Sequence, residues 1–130
     1  MADLEFFFDP ICPWAWITSR WVNEVQKQRS YDVTWRFISL RMINEEIGYN
    51  EGSEVHRQSH VIGTQILRSA ALARAEEGNE AVGKLYTAVG TALHNNQQRE
   101  EMLNNPTFFL VDVLSRNNLN VDWAKGADNE

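Results

Sequence analysis

Two short apolar runs near the N-terminus, separated by one helical segment and followed by no third, constrain this chain more than any other feature. Leu4 to Phe8, LEFFF, is closed by Asp9-Pro10 and reads as a buried strand. From Pro13 to about Gln28 the pattern turns helical. Trp14, Ile17, Trp21, Val22 and Val25 recur at three- and four-residue spacing, and Ser19, Arg20, Asn23 and Lys27 fall largely between them. Pro13 suits a first helical turn, where its missing N–H costs nothing. Tyr31 to Leu40 then alternates Val33, Trp35 and Phe37 against Asp32, Thr34 and Arg36, which predicts a second strand. Strand, helix and strand within 40 residues make a βαβ unit with parallel strands and a right-handed crossover.

The remainder reads as helix. Met42 to Ile47 suggests a short turn and Gly48 to Ser53 a loop. Glu54 to about Gly78 is one long helix with Ile62, Ile66, Ala70 and Ala73 on its apolar stripe, stopped by Gly78-Asn79. Glu80 to about Leu93 is another, with Val82, Leu85, Tyr86 and Val89 inside. Glu100 to Leu103 suggests a turn, and Pro106 to about Arg116 a further helix. Val121 to Glu130 begins as VDWAK and dissolves into small and charged residues. Two parallel strands do not make a stable sheet, because parallel sheets are covered on both faces and normally larger. The expectation is therefore an α/β fold whose remaining strands come from a partner or from beyond residue 130.

Charge narrows the partners. With 18 acidic and 12 basic residues the net charge is -6, and no cluster of Lys and Arg offers the basic face a nucleic-acid binder needs. No apolar run approaches the ~20 residues that span a bilayer, and MADLEFFFDP lacks the basic start of a secretory signal. A cytoplasmic protein with no nucleic-acid or membrane partner is expected. One cysteine excludes an internal disulfide, and one cysteine with three histidines argues against a structural zinc site.

The chemistry concentrates in Asp9-Pro10-Ile11-Cys12-Pro13-Trp14-Ala15-Trp16. Cys12 sits between the first strand and the helix. The first N–H groups of a helix lack intrahelical partners, and the macrodipole adds partial positive charge there. Both favour the thiolate, which is the nucleophile. The competing reading is a buried, inert cysteine. Other candidates are more local. Asp9 either forms an Asp-Pro turn or tunes Cys12. His56 and His60 are spaced like a metal pair but lack a third ligand. His94 sits at a helix end, where it complements the dipole or faces the site. Glu45-Glu46, Glu76-Glu77 and Glu100-Glu101 read as solvated faces. Five Trp and six Phe crowd towards the N-terminus, mostly as core.

The pattern F-x-D-P-x-C-P-W resembles the DsbA-like branch of the thioredoxin superfamily. FFFDPICPWAWITSRWVNEV, the strand ending in FISLRMINEE, and LYTAVGTALHNN look most like the mycothiol-dependent nitroreductase group. The resemblance implies a thioredoxin-like βαβ half over residues 1–40 and a DsbA-type helical insertion over 41–130. It also implies that the cis-Pro loop and last strands lie outside this chain. A reading of Asn105-Pro106 as that cis-Pro loop is disfavoured by the helical pattern after it. The resemblance further implies Cys12 as catalytic nucleophile, Pro13, Trp14 and Asp9 as supporting residues, and Trp16 and His94 in substrate binding. It departs from the usual C-x-x-C pair, because Ala15 replaces the second cysteine. A mixed disulfide at Cys12 must then be resolved by an external thiol, mycothiol or glutathione, with no metal involved. The implied protein is a homodimeric thiol–disulfide oxidoreductase acting on a disulfide or a nitroaromatic-type small molecule. Two alternatives stay open: a glutathione-dependent isomerase or kappa-class transferase-like enzyme, and a non-catalytic fragment.

Overall fold

The computed structural model describes residues 3–48 and 54–128. The loop expected over Gly48 to Ser53 and the last two residues of the tail fall largely outside those ranges. Strand β1 (Leu4–Phe8) pairs in parallel with β2 (Val33–Phe37), Leu4 opposite Val33 and Phe8 opposite Phe37. Helix α1 (Pro13–Gln28) connects them. Then come α2 (Leu40–Ile47), α3 (Glu54–Glu77), α4 (Asn79–Gly90), a π-helical turn (Thr91–Asn95), α5 (Arg99–Asn104), α6 (Pro106–Arg116) and a 3₁₀ helix (Val121–Asp128). A mostly helical α/β arrangement on a small parallel sheet is compatible with a thioredoxin-like fold.

The period-2 pattern of the strands builds one aromatic face. Phe8 meets Trp35 and Phe37 edge-on, at 6.3 and 5.8 Å between centroids, and stacks on Tyr86 of α4 at 4.0 Å. These geometries suit the ring quadrupoles. Val82, Leu85, Tyr86 and Val89 are fully buried against that face. The predicted stripe of α3 is also buried throughout: Ile62, Ile66, Ala70 and Ala73.

Several expectations need correction. The second strand ends at Phe37, and Leu40 opens α2 because the Ser39 hydroxyl accepts from Met42 N at 3.2 Å and caps it. The helix predicted to Leu93 leaves α-geometry after Gly90 and widens into the π turn. The C-terminal stretch does not dissolve. It forms the 3₁₀ helix because Trp123 is buried on α3, where Ser69 Oγ donates to the Trp123 carbonyl (2.7 Å) and Trp123 Nε1 donates to Glu76 Oε2 (2.9 Å). Glu76 is therefore a partner and not a merely solvated charge. Pro106 starts α6 as predicted, with the Asn105 side chain accepting from Phe108 N, and no cis peptide bond occurs among the described residues.

The largest correction concerns α1. Its buried residues are Trp16, Ser19 and Val22, whereas Trp14, Ile17 and Trp21 are 77, 60 and 66% exposed. The face is chosen by shape. Trp16 drops into a notch in α4 that exists only because residue 90 is glycine: a Cβ there would lie 2.8 Å from Trp16 Cη2 and closer still to Cζ3 and Cε3. Ser19 tolerates burial because its hydroxyl donates to the Trp16 carbonyl (2.7 Å) and accepts from Arg20 Nε (3.0 Å).

Candidate functional site

Cys12 is the N-cap of α1, in extended conformation, with Pro13 following at the first helical position. Its Sγ accepts from Ala15 N at 3.4 Å, so the sulfur takes one of the helix's orphan N–H groups. Cys12 is partly buried, and Pro13 and Trp14 are exposed.

Asp9 shapes the loop that carries Cys12. It is buried, and its two oxygens accept from Ile11 N (3.0 Å) and Leu40 N (2.9 Å). One carboxylate thereby ties the Cys12 loop to the start of α2. Burial pushes the Asp9 carboxyl above the usual 3.8, against the pull of its two backbone donors. The close approach of α3 to this carboxylate requires Gly63, where a Cβ would lie 2.7 Å from Oδ1. Asp9 is thus both turn-former and loop anchor.

His94 reaches the same loop from the opposite side. Its Nε2 lies 2.9 Å from the Pro10 carbonyl, and its ring stacks on Trp16 at 5.8 Å. The π turn rotates residue 94 out of α-helical register, and π turns of this kind occur often at functional sites. Trp16 itself is buried: Arg20 lies 4.0 Å above its ring, Tyr86 packs edge-on, and Nε1 donates to Asn95 Oδ1 at 3.3 Å. Trp16 supports His94 and does not line the adjoining cavity. Burial lowers the His94 pKa from 6.5 against the Pro10 bond, and Arg99 lowers it further. Beneath the loop, burial pushes Tyr86 up to about 12. Its buried hydroxyl has no hydrogen-bond partner among the described residues.

A cavity of about 190 Å³ is lined by Ile11, Pro13, Leu93, His94, Arg99 and Met102. Ile11 and Pro13 flank Cys12 in sequence, so the cavity and the thiol share one loop. Arg99 Nη2 donates to Ser59 Oγ (2.9 Å), and Arg99 has no carboxylate partner among the described residues. A larger groove, about 730 Å³, runs along β2 past Thr34, Trp35, Asn79 and Lys84 and shares no residue with the Cys12 loop. His60 is buried, its ring 4.3 Å from exposed His56. Among the described residues no group of three or more His, Cys, Asp or Glu could hold a metal ion. No helix there is long and apolar enough to cross a membrane.

The structure thus gathers Cys12, Pro13, Asp9 and His94 around one loop, buries Trp16 behind it and leaves Trp14 outside. Sequence patterning missed Arg99, Met102 and Leu93, which line the cavity with Ile11 and Pro13, and Asn95, which bonds Trp16. A single cysteine caps the helix of a βαβ unit on a thioredoxin-compatible scaffold, and its two sequence neighbours line a small cavity.

The chain belongs to the Rv2466c-like family, described as mycothiol-dependent nitroreductase Rv2466c, which matches residues 11–130. It is also 34% identical over 94 residues to the "Uncharacterized protein Rv2286c" of Mycobacterium tuberculosis (strain ATCC 25618 / H37Rv), a match covering 72% of this chain and 39% of that protein. The match therefore spans about two-fifths of that relative's length.

Proposed function

We propose that this chain carries the nucleophilic half of a DsbA-like thiol oxidoreductase site, with Cys12 as nucleophile and mycothiol as the external thiol. The carrying observation is the Cys12 sulfur, which caps α1 and accepts from Ala15 N at 3.4 Å. The backbone donor in the first turn of α1 sets the direction of the sulfur for attack and for departure. Ala15 in place of a second cysteine supports a monothiol route. The family match to mycothiol-dependent nitroreductases favours mycothiol over glutathione.

In that route Cys12 and one thiol together give an acceptor two electrons and two protons and become a mixed disulfide. A second thiol opens it and leaves with the first as a disulfide. For a nitroaromatic acceptor the sum is nitro compound plus two thiols to nitroso compound, disulfide and water. Pro13 fixes the first turn, Asp9 holds the loop, and exposed Trp14 is positioned to stack on a flat substrate. The uncovered Trp14, Ile17 and Trp21 favour a homodimer, and the acidic composition suits a cytoplasmic protein.

The test is intact-mass detection of the mixed disulfide, together with thiol-dependent nitroreduction, in the wild-type chain and Cys12→Ser. The expected result is one thiol adduct in the wild type, none in the variant, and loss of turnover. Turnover retained by Cys12→Ser would overturn the proposal and favour an isomerase or transferase in which the bound thiol does the chemistry.

A further inference from the structure

We propose that His94 is the general base for the external thiol that opens the Cys12 mixed disulfide, a role that rests on the thiol reading above. A chain with one cysteine has no resolving thiol of its own. The external thiol must supply it, and a free thiol with a pKa near 8.5 is only about 3% ionised at pH 7. A base at the point of attack removes that handicap.

The geometry assigns the proton positions on the ring. A carbonyl only accepts, so the 2.9 Å contact to Pro10 O places the hydrogen on Nε2. In the neutral ring Nδ1 is then the lone pair. Nδ1 has no hydrogen-bond partner among the described residues and is not among the side-chain atoms sealed from solvent. The ring lines the 190 Å³ cavity together with Ile11 and Pro13, the two neighbours of Cys12. Stacking on Trp16 holds its plane. A thiol entering this cavity meets the His94 ring and the two neighbours of Cys12 together.

The charges around the cavity favour a thiolate and a neutral imidazole. Arg99 faces it from α5, and no carboxylate lines it. Asp9, the nearest acid in the loop, has both oxygens engaged by backbone N–H groups. Burial and Arg99 hold the His94 pKa below 6.5, which leaves the ring neutral at pH 7 with its lone pair available while reducing its basicity. Arg99 also stabilises the thiolate as it forms.

The step balances as a disulfide exchange. The thiol S–H gives its proton to Nδ1, and the thiolate attacks the outer sulfur of the mixed disulfide. A new S–S bond joins the two small thiols, the bond to Cys12 breaks, and Cys12 leaves as a thiolate held by the Ala15 N–H. His94 returns the proton to water. No net oxidation occurs in this step.

The experiment uses the full chain carrying N-acetylcysteine amide on Cys12, opened by excess N-acetylcysteine amide from pH 5 to 9.5, acid-quenched and read by intact mass. Attack on the inner sulfur regenerates the same adduct, so loss of adduct reports attack on the outer sulfur alone. The wild type should open about 10-fold faster than His94→Gln at pH 7, inside the ~30-fold ceiling that a thiol about 3% ionised sets. The gap should close above pH ~9, where the thiol ionises unaided. The wild-type rate should also show an added acid limb below 6.5 as His94 protonates. A His94→Gln rate within about threefold of wild type at pH 7, or a ratio constant at every pH, would overturn the inference. Should His94→Gln fail to fold, the wild-type profile decides alone: a rate that follows thiol ionisation with no acid limb overturns it. Adduct formation from the corresponding disulfide is the reverse of this exchange and should slow by the same factor in His94→Gln. No adduct in the wild type would instead remove the thiol reading itself, and this inference with it.

Discussion

Replacing Gly90 by alanine tests whether the notch in α4 fixes the site. A Cβ at residue 90 would lie 2.8 Å from Trp16 Cη2 and nearer to two other ring carbons, inside any tolerable contact. The indole cannot yield easily. Tyr86 meets it edge-on at 5.6 Å, Arg20 covers it at 4.0 Å, and Asn95 holds Nε1. Forcing a methyl group into such a place costs about 3 kcal/mol, the upper part of the overpacking range. Alanine returns about 1 kcal/mol of helix propensity over glycine. The net is about 2 kcal/mol of destabilisation, or a Tm lower by about 8 °C for a domain of this size. The assay is thermal unfolding followed by far-UV circular dichroism, with near-UV signal reporting the tryptophans. Trp16→Leu in the same chain should relieve most of the added alanine's cost, giving a positive coupling between the two positions. A Gly90→Ala chain as stable as wild type, or more so, would mean that helix propensity outweighs the clash and that the notch does not exist.

Two further outcomes follow from the same structure. Asn79→Ala should lower the urea unfolding free energy by about 1–2 kcal/mol, because it removes two side-chain bonds to β2, from Trp35 N (2.8 Å) and to the Val33 carbonyl (2.7 Å); an unmoved urea midpoint would refute it. Stability should also fall as pH drops below about 6.5. His60 and His94 are both held below that value by burial, so the unfolded chain binds their protons first. At lower pH the raised Asp9 acts with opposite sign, since the native state takes up its proton first, and flattens the loss. A urea midpoint constant from pH 7 to 5 would contradict this.

Local signals in the sequence were reliable where the chain settles its own geometry. Asp9-Pro10 closed β1, Pro13 and Asn105-Pro106 opened helices, and Gly78 adopts the positive φ of 87° that a C′ glycine supplies. The position of Cys12 between strand and helix followed from these. The face of α1 did not. Counting apolar side chains favoured Trp14, Ile17 and Trp21, whereas the packing was decided by a glycine 74 residues away from Trp16. The π turn leaves no periodic trace, so the place of Arg99 beside the Cys12 loop was illegible, whereas His94 facing the site was one of two readings the sequence offered. The 3₁₀ helix was missed because its one anchor, Trp123, is a long-range contact without a repeat.

The side-chain amide of Asn79 takes a backbone N–H from residue 35 and gives to the carbonyl of residue 33. That is the pattern a residue of a neighbouring parallel strand would present. One side chain thus impersonates a strand and stops the sheet from growing past β2, leaving extension to the far side of β1. Growth of the sheet is therefore one-directional, and any strand that joins it must run alongside the strand that delivers Cys12.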